Sequence, residues 1–497
     1  MEMKIPSELL NISSKLTSVG HKAYLVGGCV RDLILGRTPK DWDIATNAKP
    51  SEIQKLFPNS IYENTFGTVA VKTDSKDRAL KIIEVTTFRL EGKYTDKRHP
   101  DEIKFAKTIE EDLSRRDFTI NAIALDPSGP NLPDPKGREL VDPYDGQKDL
   151  EAKLIRCVGN PGERFNEDAL RLVRAIRFSS ELSFNIEEET KTAIKKNAGL
   201  LSLIAKERIR DEFVKILMSA DASADAKNGV QMLEDLGLMK SVIPELREGI
   251  NCTQNKHHIY TVWEHSLRSL DYTVSKNYPL EIRLAALLHD VGKPATKRGE
   301  GEAATFYGHE VVGARMVSKI LKELRFPSAI AEKVTHLVRY HLFYYNVGDV
   351  TEAGVRRFIR RVGMENVSDL LKVREADRIG SGVPKAFPYK LRHLLFMIEK
   401  VKKDPVSPKM LVVDGKDVMD IAGVSPGPKV GQVLAILLDE VLEDPAKNTK
   451  ENLAKRIKDL SNLSQESLVA LKKSAESRKE EFEKGIEEEM KSKYYVK

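Results

Sequence analysis

Two aspartates, Asp41 and Asp43, follow shortly after the glycine pair Gly27-Gly28. On an extended strand their carboxylates point to one face, with Trp42 and Ile44 on the other. Two oxygen ligands on one face suit a hard cation such as Mg²⁺, which keeps waters and substrate phosphates as its remaining ligands. The preceding Lys22-Ala-Tyr-Leu-Val-Gly-Gly reads as a short strand entering a turn, with glycines where backbone amides must approach phosphate oxygens. Taken singly, a Gly-Gly is a turn and an Asp-x-Asp a solvated edge. Coupled through strand, glycine turn, helix over Val30–Leu35 and second strand, they form a phosphate grip beside a metal, the geometry of phosphoryl or nucleotidyl transfer.

Further polar groups gather along the first third of the chain. Glu84, in the strand-like Lys81-Ile-Ile-Glu-Val-Thr, is either a third carboxylate for that metal or a strand-edge charge. The stretch Arg115-Arg116-Asp117-Phe-Thr-Ile-Asn121-Ala offers arginines for a triphosphate and Asp117 or Asn121 for ribose hydroxyls, or else a surface turn with an ion pair. Glu167-Asp168-Ala-Leu-Arg171 reads as the opening of a helix, with Asp168 and Arg171 on one face at i,i+3 spacing. A carboxylate accepts and a guanidinium donates, so the pair matches a base edge offering an exocyclic amine beside an unprotonated ring nitrogen. Cytosine and adenine have that edge; guanine and uracil reverse it. The same spacing also describes an ordinary helix-stabilising ion pair.

Elements to position these groups are visible. Residues 22–126 alternate β-rich runs (Tyr24–Val26, Thr68–Lys72, Lys81–Thr87, Ile120–Leu125) with short helical stretches. From Pro161 the pattern turns helical over Arg164–Leu182, Glu187–Lys196, Lys206–Ser219 and Ala226–Leu238. Residues 245–260 read as a connecting loop, Val262 to Ile379 as a second helical block, Gly380-Ser-Gly-Val-Pro as a hinge, and the acidic and lysine-rich C-terminal end as a charged helix or frayed tail. The 497 residues exceed one core and imply about three domains. With 41% apolar and 31% charged residues and no apolar run long enough to cross a bilayer, a soluble protein is expected. The N-terminus carries neither a signal core nor transit-peptide composition, which places the expected compartment in the cytoplasm. Cys29, Cys157 and Cys252 are odd in number and far apart, arguing for buried thiols rather than disulfides or a cysteine zinc site. A net charge of +6 does not by itself demand RNA, so an RNA partner would need local patches.

In this order and spacing, Leu25-Val-Gly-Gly-Cys-Val-Arg31-Asp-Leu-Ile-Leu-Gly, Asp41-Trp-Asp-Ile-Ala-Thr, Arg115-Arg-Asp-Phe-Thr-Ile-Asn-Ala and Glu167-Asp-Ala-Leu-Arg-Leu-Val-Arg174-Ala-Ile-Arg-Phe resemble the successive motifs of class II tRNA nucleotidyltransferases, the CCA-adding enzymes whose head bacterial poly(A) polymerases share. The resemblance covers residues 20–220. It implies an α+β chain: a polymerase-β-like head over 1–150, a helical neck and body over 151–245 that binds the base and RNA, and a helical tail over 381–497 touching tRNA. Carried over by position, Asp41 and Asp43 become Mg²⁺ ligands with Glu84 beside them, and Gly27 and Gly28 the triphosphate turn. Arg31, Arg116, Asp117, Asn121 and Arg174 line the nucleotide, with Asp117 a ribose contact and Asp168 and Arg171 the protein template for C and A. Glu207-Arg208-Ile-Arg210 resembles a motif that buttresses the neck, and the loop Glu91–Asp101, with Lys93, Arg98 and His99, the segment that assists the change from C to A. The implied partners are tRNA, CTP and ATP, with no membrane and no protein partner. In the implied reaction the RNA 3′-hydroxyl attacks the α-phosphate in line between two metals and releases pyrophosphate.

Seven of the ten histidines fall between His257 and His341. Trp263-Glu-His265, Leu287-Leu-His289-Asp290-Val-Gly-Lys-Pro, Gly308-His309-Glu, His341 and Glu375-Ala-Asp377 lie in series along the second helical block and can close around a metal ion. The series resembles the HD phosphohydrolase domain, expected over 246–380, with His265, His289, Asp290 and Asp377 as ligands to a divalent metal of unspecified identity. His309 and His341 are then outer groups or ligands to a second ion, and the site either hydrolyses a phosphoester or only staples helices. Arg356-Arg357-Phe-Ile-Arg360-Arg361 puts four cations on one helix, a stripe for RNA phosphates or a solvated face.

The sequence thus points to template-independent CCA addition to tRNA from CTP and ATP. Two rivals stand: a poly(A) polymerase or partial C- or A-adding enzyme, which Asp168 and Arg171 would serve equally, and an HD phosphodiesterase or phosphatase whose head only docks RNA. The intact Asp41 and Asp43 argue against the second, and against a non-catalytic scaffold.

Overall fold

The computed structural model describes residues 5–62, 67–91, 103–127, 140–219, 226–255, 259–343, 345–383 and 385–473. The loop over 92–101, His257, His258 and the charged C-terminal end lie outside them. The chain divides into two compact units, one built from Met1–Cys252, Val274–Leu284 and Ser318–Ala331, the other from Thr253–Thr273, Ala285–Val317 and Glu332–Lys497.

The first unit contains the strands β1 (Ala23–Val26), β2 (Asp43–Thr46), β3 (Ser60–Tyr62), β4 (Thr68–Lys72), β5 (Ile82–Thr87), β6 (Arg89–Glu91), β7 (Ile103–Phe105), β8 (Ala124–Leu125) and β9 (Leu140–Val141). Seven of them form one mixed sheet in the order β3-β4-β5-β2-β1-β8-β9. The inner strands carry runs of Val, Ile, Leu and Ala because they are covered, and Leu25, Ile44, Ile83, Val85 and Val69 are buried. The segment expected as a strand over Ile120–Leu125 divides into a 3₁₀ turn at Thr119–Asn121 and the short β8, which turns Asn121 toward the arginines beside it.

Helices follow at Pro161–Glu167, Arg171–Leu182, Glu188–Asn197 and Lys206–Met218. The continuous helix expected over Arg164–Leu182 is broken at Asp168. That residue is extended (φ −132°, ψ 105°), and its carboxylate accepts from the Leu170 amide at 3.0 Å. This local side-chain bond competes with the helical ladder, and the apolar periodicity on either side conceals it.

The second unit is helical: Glu352–Val362, Met364–Gly380 and Tyr389–Val401 lie wholly within it, and Val262–Ser275, His309–Glu323 and Ser328–Tyr340 in part. Two of the four arginines of the Glu352–Val362 helix are drawn into packing, while Arg360 stays exposed. Arg356 is 3% exposed and donates to the carbonyls of Leu442 and Glu443 and to Asp404, while Arg357 pairs with Asp439 and Glu443. Arginine forks here tie helices together by satisfying the orphan carbonyls of a helix end. The expected hinge at Gly380 is the packed last residue of a helix: a Cβ there would lie 2.1 Å from Ser269 Oγ and 2.9 Å from the His265 carbonyl. Cys29, Cys157 and Cys252 are free and buried. Among the described residues, no helix is long and apolar enough to cross a membrane.

Candidate functional site

β1 runs into Gly27, whose φ of 78° favours glycine. A Cβ at Gly27 would lie 2.8 Å from Arg116 Nη1 and 3.9 Å from Asp43 Oδ2, so the turn backbone comes directly against a cation and a carboxylate. The next helix begins at Gly28 rather than Val30. Because Gly27 turns away, β1 has no residue to pair with those preceding Asp43, and β2 starts there. Asp41 therefore sits exposed in a bend rather than on the strand expected for it. Asp43 is in register with Glu84 on the parallel neighbour β5, which places both side chains on one face of the sheet. Burial pushes the Asp43 carboxyl up, Arg116 opposes this, and Asp41 adds to it. A half-buried carboxyl so placed, beside a second acid, favours an added cation, and an all-oxygen donor set fits Mg²⁺.

Behind this set lies a chain of hydrogen bonds. Arg31 Nη1 donates to Asn121 Oδ1 at 2.8 Å, Asn121 Nδ2 donates to Asp117 Oδ1 at 3.2 Å, and Arg174 donates to Asp117 Oδ2 at 2.8 and 2.5 Å. Burial opposes ionisation of Asp117, but Arg174 and Arg171 outweigh it and hold the carboxyl well below its usual range. Arg31, Arg174 and Arg177 all lie over the Phe178 ring, Arg177 at 3.8 Å from its centre. Glu212 anchors the far end, accepting from Arg177 Nε at 2.5 Å. The expected nucleotide residues Arg31, Arg116, Asp117, Asn121 and Arg174 thus cluster in one connected network.

Asp168 and Arg171 do not share a continuous helix face. Arg171, 8% exposed, pairs with Glu167 at 2.5 Å and donates to the carbonyls of Arg164 and Arg115. Asp168 instead pairs with Arg208, whose Nη2 donates to Oδ2 at 2.8 Å and Nη1 to Oδ1 at 3.3 Å. Arg208 comes from the motif read as a neck buttress, and its fork holds the carboxylate expected to read the base.

In the second unit His265, His289, Asp290 and Asp377 converge, together with His309 and His341, all at most 9% exposed. His265 lies early in the Val262–Ser275 helix, His289-Asp290 in the turn after Leu280–Leu288, His309 at the start of its helix, His341 just past Tyr340, and Asp377 in Met364–Gly380. Among the described residues, the groups of three whose ligand atoms lie within 4.8 Å of one another are His265, His289, Asp290 and Asp290, His309, His341. The head carboxylates do not converge as closely. Burial opposes ionisation of Asp290 and Asp377, yet His289 and Lys293 hold the first, and Arg374 and His265 the second, well below the usual carboxylate range. Burial alone would push His289 down, but Asp290 and Asp377 bring it up to about 10. Buried anions that stay ionised demand cations, and the imidazole and carboxylate donors fit a divalent metal. Lys293, absent from the expected set, places Nζ 2.6 Å from Asp290 Oδ2 and 2.7 Å from Gln254 Oε1. Its i,i+3 spacing from Asp290 was the available signal.

Comparison with known proteins agrees with both regions. Residues 23–156 match the model of the poly A polymerase head domain, 183–250 that of a probable RNA and SrmB-binding site of polymerase A, and 262–381 the HD domain. An A-adding tRNA nucleotidyltransferase of Deinococcus radiodurans is 34% identical, covering 84% of this chain and 91% of its own. A CCA-adding enzyme of Lactococcus lactis subsp. lactis is 31% identical over 92% of this chain and 98% of its own. The crystal structure of the Bacillus stearothermophilus CCA-adding enzyme in complex with CTP superposes with a TM-score of 0.66 and 28% identity, covering 92% of this chain and 98% of that one. On the order of its motifs, its mixed-sheet head and these full-length relatives, the chain belongs to the family of CCA-adding and A-adding tRNA nucleotidyltransferases.

Proposed function

We propose that this protein adds nucleotides to the 3′ end of tRNA without a nucleic-acid template, using CTP and ATP to build the terminal CCA. The observation that carries this reading is the pairing of Asp43 with Glu84 across adjacent strands, beside the Gly27 turn and Arg116. Asp41, Asp43 and Glu84 would hold Mg²⁺, which when bound lowers the pKa of the attacking hydroxyl and neutralises triphosphate charge. Gly27 and Gly28 let the triphosphate approach backbone amides, and Arg116 meets its charge. Arg31, Asn121, Asp117 and Arg174 link that turn to the Arg171–Leu182 helix and keep it rigid. Asp168, held by Arg208, offers acceptors to an exocyclic amine, the group that cytosine and adenine share.

The domain reading follows: a head over 1–150, a base- and RNA-binding neck and body over 151–245, an HD unit over 246–380 and a tRNA-contacting tail over 381–497. In the HD unit His265, His289, Asp290 and Asp377 would hold a divalent ion. The cytoplasm is the proposed compartment, where the three free thiols stay reduced.

A second reading, addition of A alone, is favoured by the A-adding Deinococcus radiodurans relative. Labelled CTP and ATP, offered with Mg²⁺ to tRNA lacking CCA and to tRNA ending in CC, separate the two. Ordered C, C, A addition supports the first reading. Incorporation of ATP only, and only onto tRNA ending in CC, replaces it with the second. No incorporation of either overturns both.

A further inference from the structure

The helix Tyr389–Val401 has two unlike faces. Leu391, Leu394, Ile398 and Val401 are buried, and this side packs on the Glu352–Val362 helix. Tyr389, His393 and Phe396 stand at i, i+4 and i+7 on the other side. Tyr389 is 60% exposed and Phe396 62%, with His393 half-buried between them. Ring centres lie 5.9 Å apart from Tyr389 to His393 and 5.9 Å apart from His393 to Phe396. The buried Tyr345 places its ring centre 6.0 Å from that of His393, and its hydroxyl shares a 2.6 Å hydrogen bond with His393 Nδ1. The middle ring is therefore held from inside, and the row keeps its orientation.

Cations run alongside the rings. Arg392 is exposed, with its guanidinium 6.0 Å from the Tyr389 ring centre. From 389 to 403 the chain carries Lys390, Arg392, Lys400, Lys402 and Lys403 against a single acid, Glu399. Lys400 pairs with Glu352 and Lys402 with Glu399. Among the described residues, Lys390, Arg392 and Lys403 meet no carboxylate. Large rings left together in water mark a contact surface, and the groups around them select the partner. A nucleotide brings a flat apolar base for a ring and a phosphate for a cation. A duplex keeps its base faces stacked inside, so only unpaired bases can reach the row. A second copy of this helix would set like charges against one another, which opposes association.

We infer that the face formed by Tyr389, His393 and Phe396 is a stacking platform for unpaired bases of the RNA substrate, with Lys390 and Arg392 meeting the neighbouring phosphates. It rests on the reading of that substrate as tRNA, and it specifies the part taken: a loop, not a stem. Every base has a π-face, so the platform adds affinity for the folded RNA without reading its sequence.

Trp42 and Trp263 are the two tryptophans of the chain and both are buried, so Phe396→Trp puts one exposed reporter on the platform. Adding tRNA ending in CC to the full-length Phe396→Trp protein should quench the new emission by base stacking, and a fully paired RNA duplex should not. In ATP incorporation onto the same tRNA, the Tyr389→Leu, Phe396→Leu double variant should raise KM for tRNA about tenfold and leave KM for ATP as it was. Phe396→Trp should keep the wild-type KM, since it retains a ring. Both positions are exposed, so these substitutions leave the core closed. Quenching without incorporation by the unsubstituted protein overturns the transfer reading and keeps the platform. Incorporation without quenching overturns the platform alone, as does a wild-type KM for tRNA in the leucine variant or equal quenching by the duplex. Neither quenching nor incorporation overturns both. A dimer that the leucine substitutions dissociate, with tRNA binding intact, assigns the face to a second copy and overturns the RNA contact.

Discussion

The two acidic clusters differ as candidate metal sites. In the head, Asp41 and Glu84 are exposed, only Asp43 is drawn inward, and Asp43 and Glu84 stand side by side on two interior strands of the sheet. In the HD unit every candidate ligand is at most 9% exposed and four are histidines. An open all-oxygen set suits an ion that arrives with a triphosphate and leaves with pyrophosphate. A sealed nitrogen-rich cage suits an ion that stays. On the proposed function, one chain would carry an exchangeable metal site and a resident one, distinguished by burial and donor type.

The comparison can be broken most sharply at Asp43. Asp43→Ala should lower nucleotide incorporation by about 10³-fold or more, because several kcal/mol of charge stabilisation is lost, while metal retained by the HD unit is unchanged. Loss of that retained metal together with activity would show that the two centres are not independent.

The next effect concerns the rigid network behind the open set. Arg174→Ala leaves Asp117 buried without its main cation and should destabilise the fold by about 3 kcal/mol, read from urea unfolding. An unchanged midpoint would mean that the head is as loosely built as its exposed carboxylates.

Gly27→Ala should cost about 1–2 kcal/mol, roughly tenfold in kcat/KM for the nucleotide, since the added Cβ meets Arg116 and the positive φ is strained. A normal KM for ATP would remove the glycine turn from the phosphate site. The smallest effect is expected at Arg208. Arg208→Ala frees the Asp168 carboxylate and should relax discrimination of CTP and ATP against UTP and GTP by about fivefold, roughly 1 kcal/mol, with a smaller change in kcat. Equal loss with all four nucleotides would assign Arg208 to stability alone.

Much of the chemistry was legible because it is locally encoded. The glycine pair and Asp43 lie within one strand-turn-helix-strand unit, and the candidate ligands of the HD unit are residue types seldom buried in such number without a partner. What escaped depended on distant partners or small local bonds. The break at Asp168 is made by one side-chain bond to Leu170, set between segments that both have helical periodicity. Asp168 takes its cation from Arg208 rather than Arg171, a choice no spacing rule reveals. Arg356 and Arg357 look like part of an RNA-facing stripe until Asp404, Asp439 and Glu443 are folded against them. The strand expected to carry Asp41 starts at Asp43 because its neighbour ends in a glycine turn.

Gly380 sets a gauge. With Ser269 Oγ and the Val262–Ser275 backbone where a Cβ would stand, the helix bearing Asp377 packs directly on the helix bearing His265. The span between those two candidate ligands is therefore gauged by main chain and one serine, as a spacer sets the gap of a spark plug. Any larger residue at 380 would push the two helices apart before touching a candidate ligand, so the geometry of the cluster can change here with every one of its side chains intact.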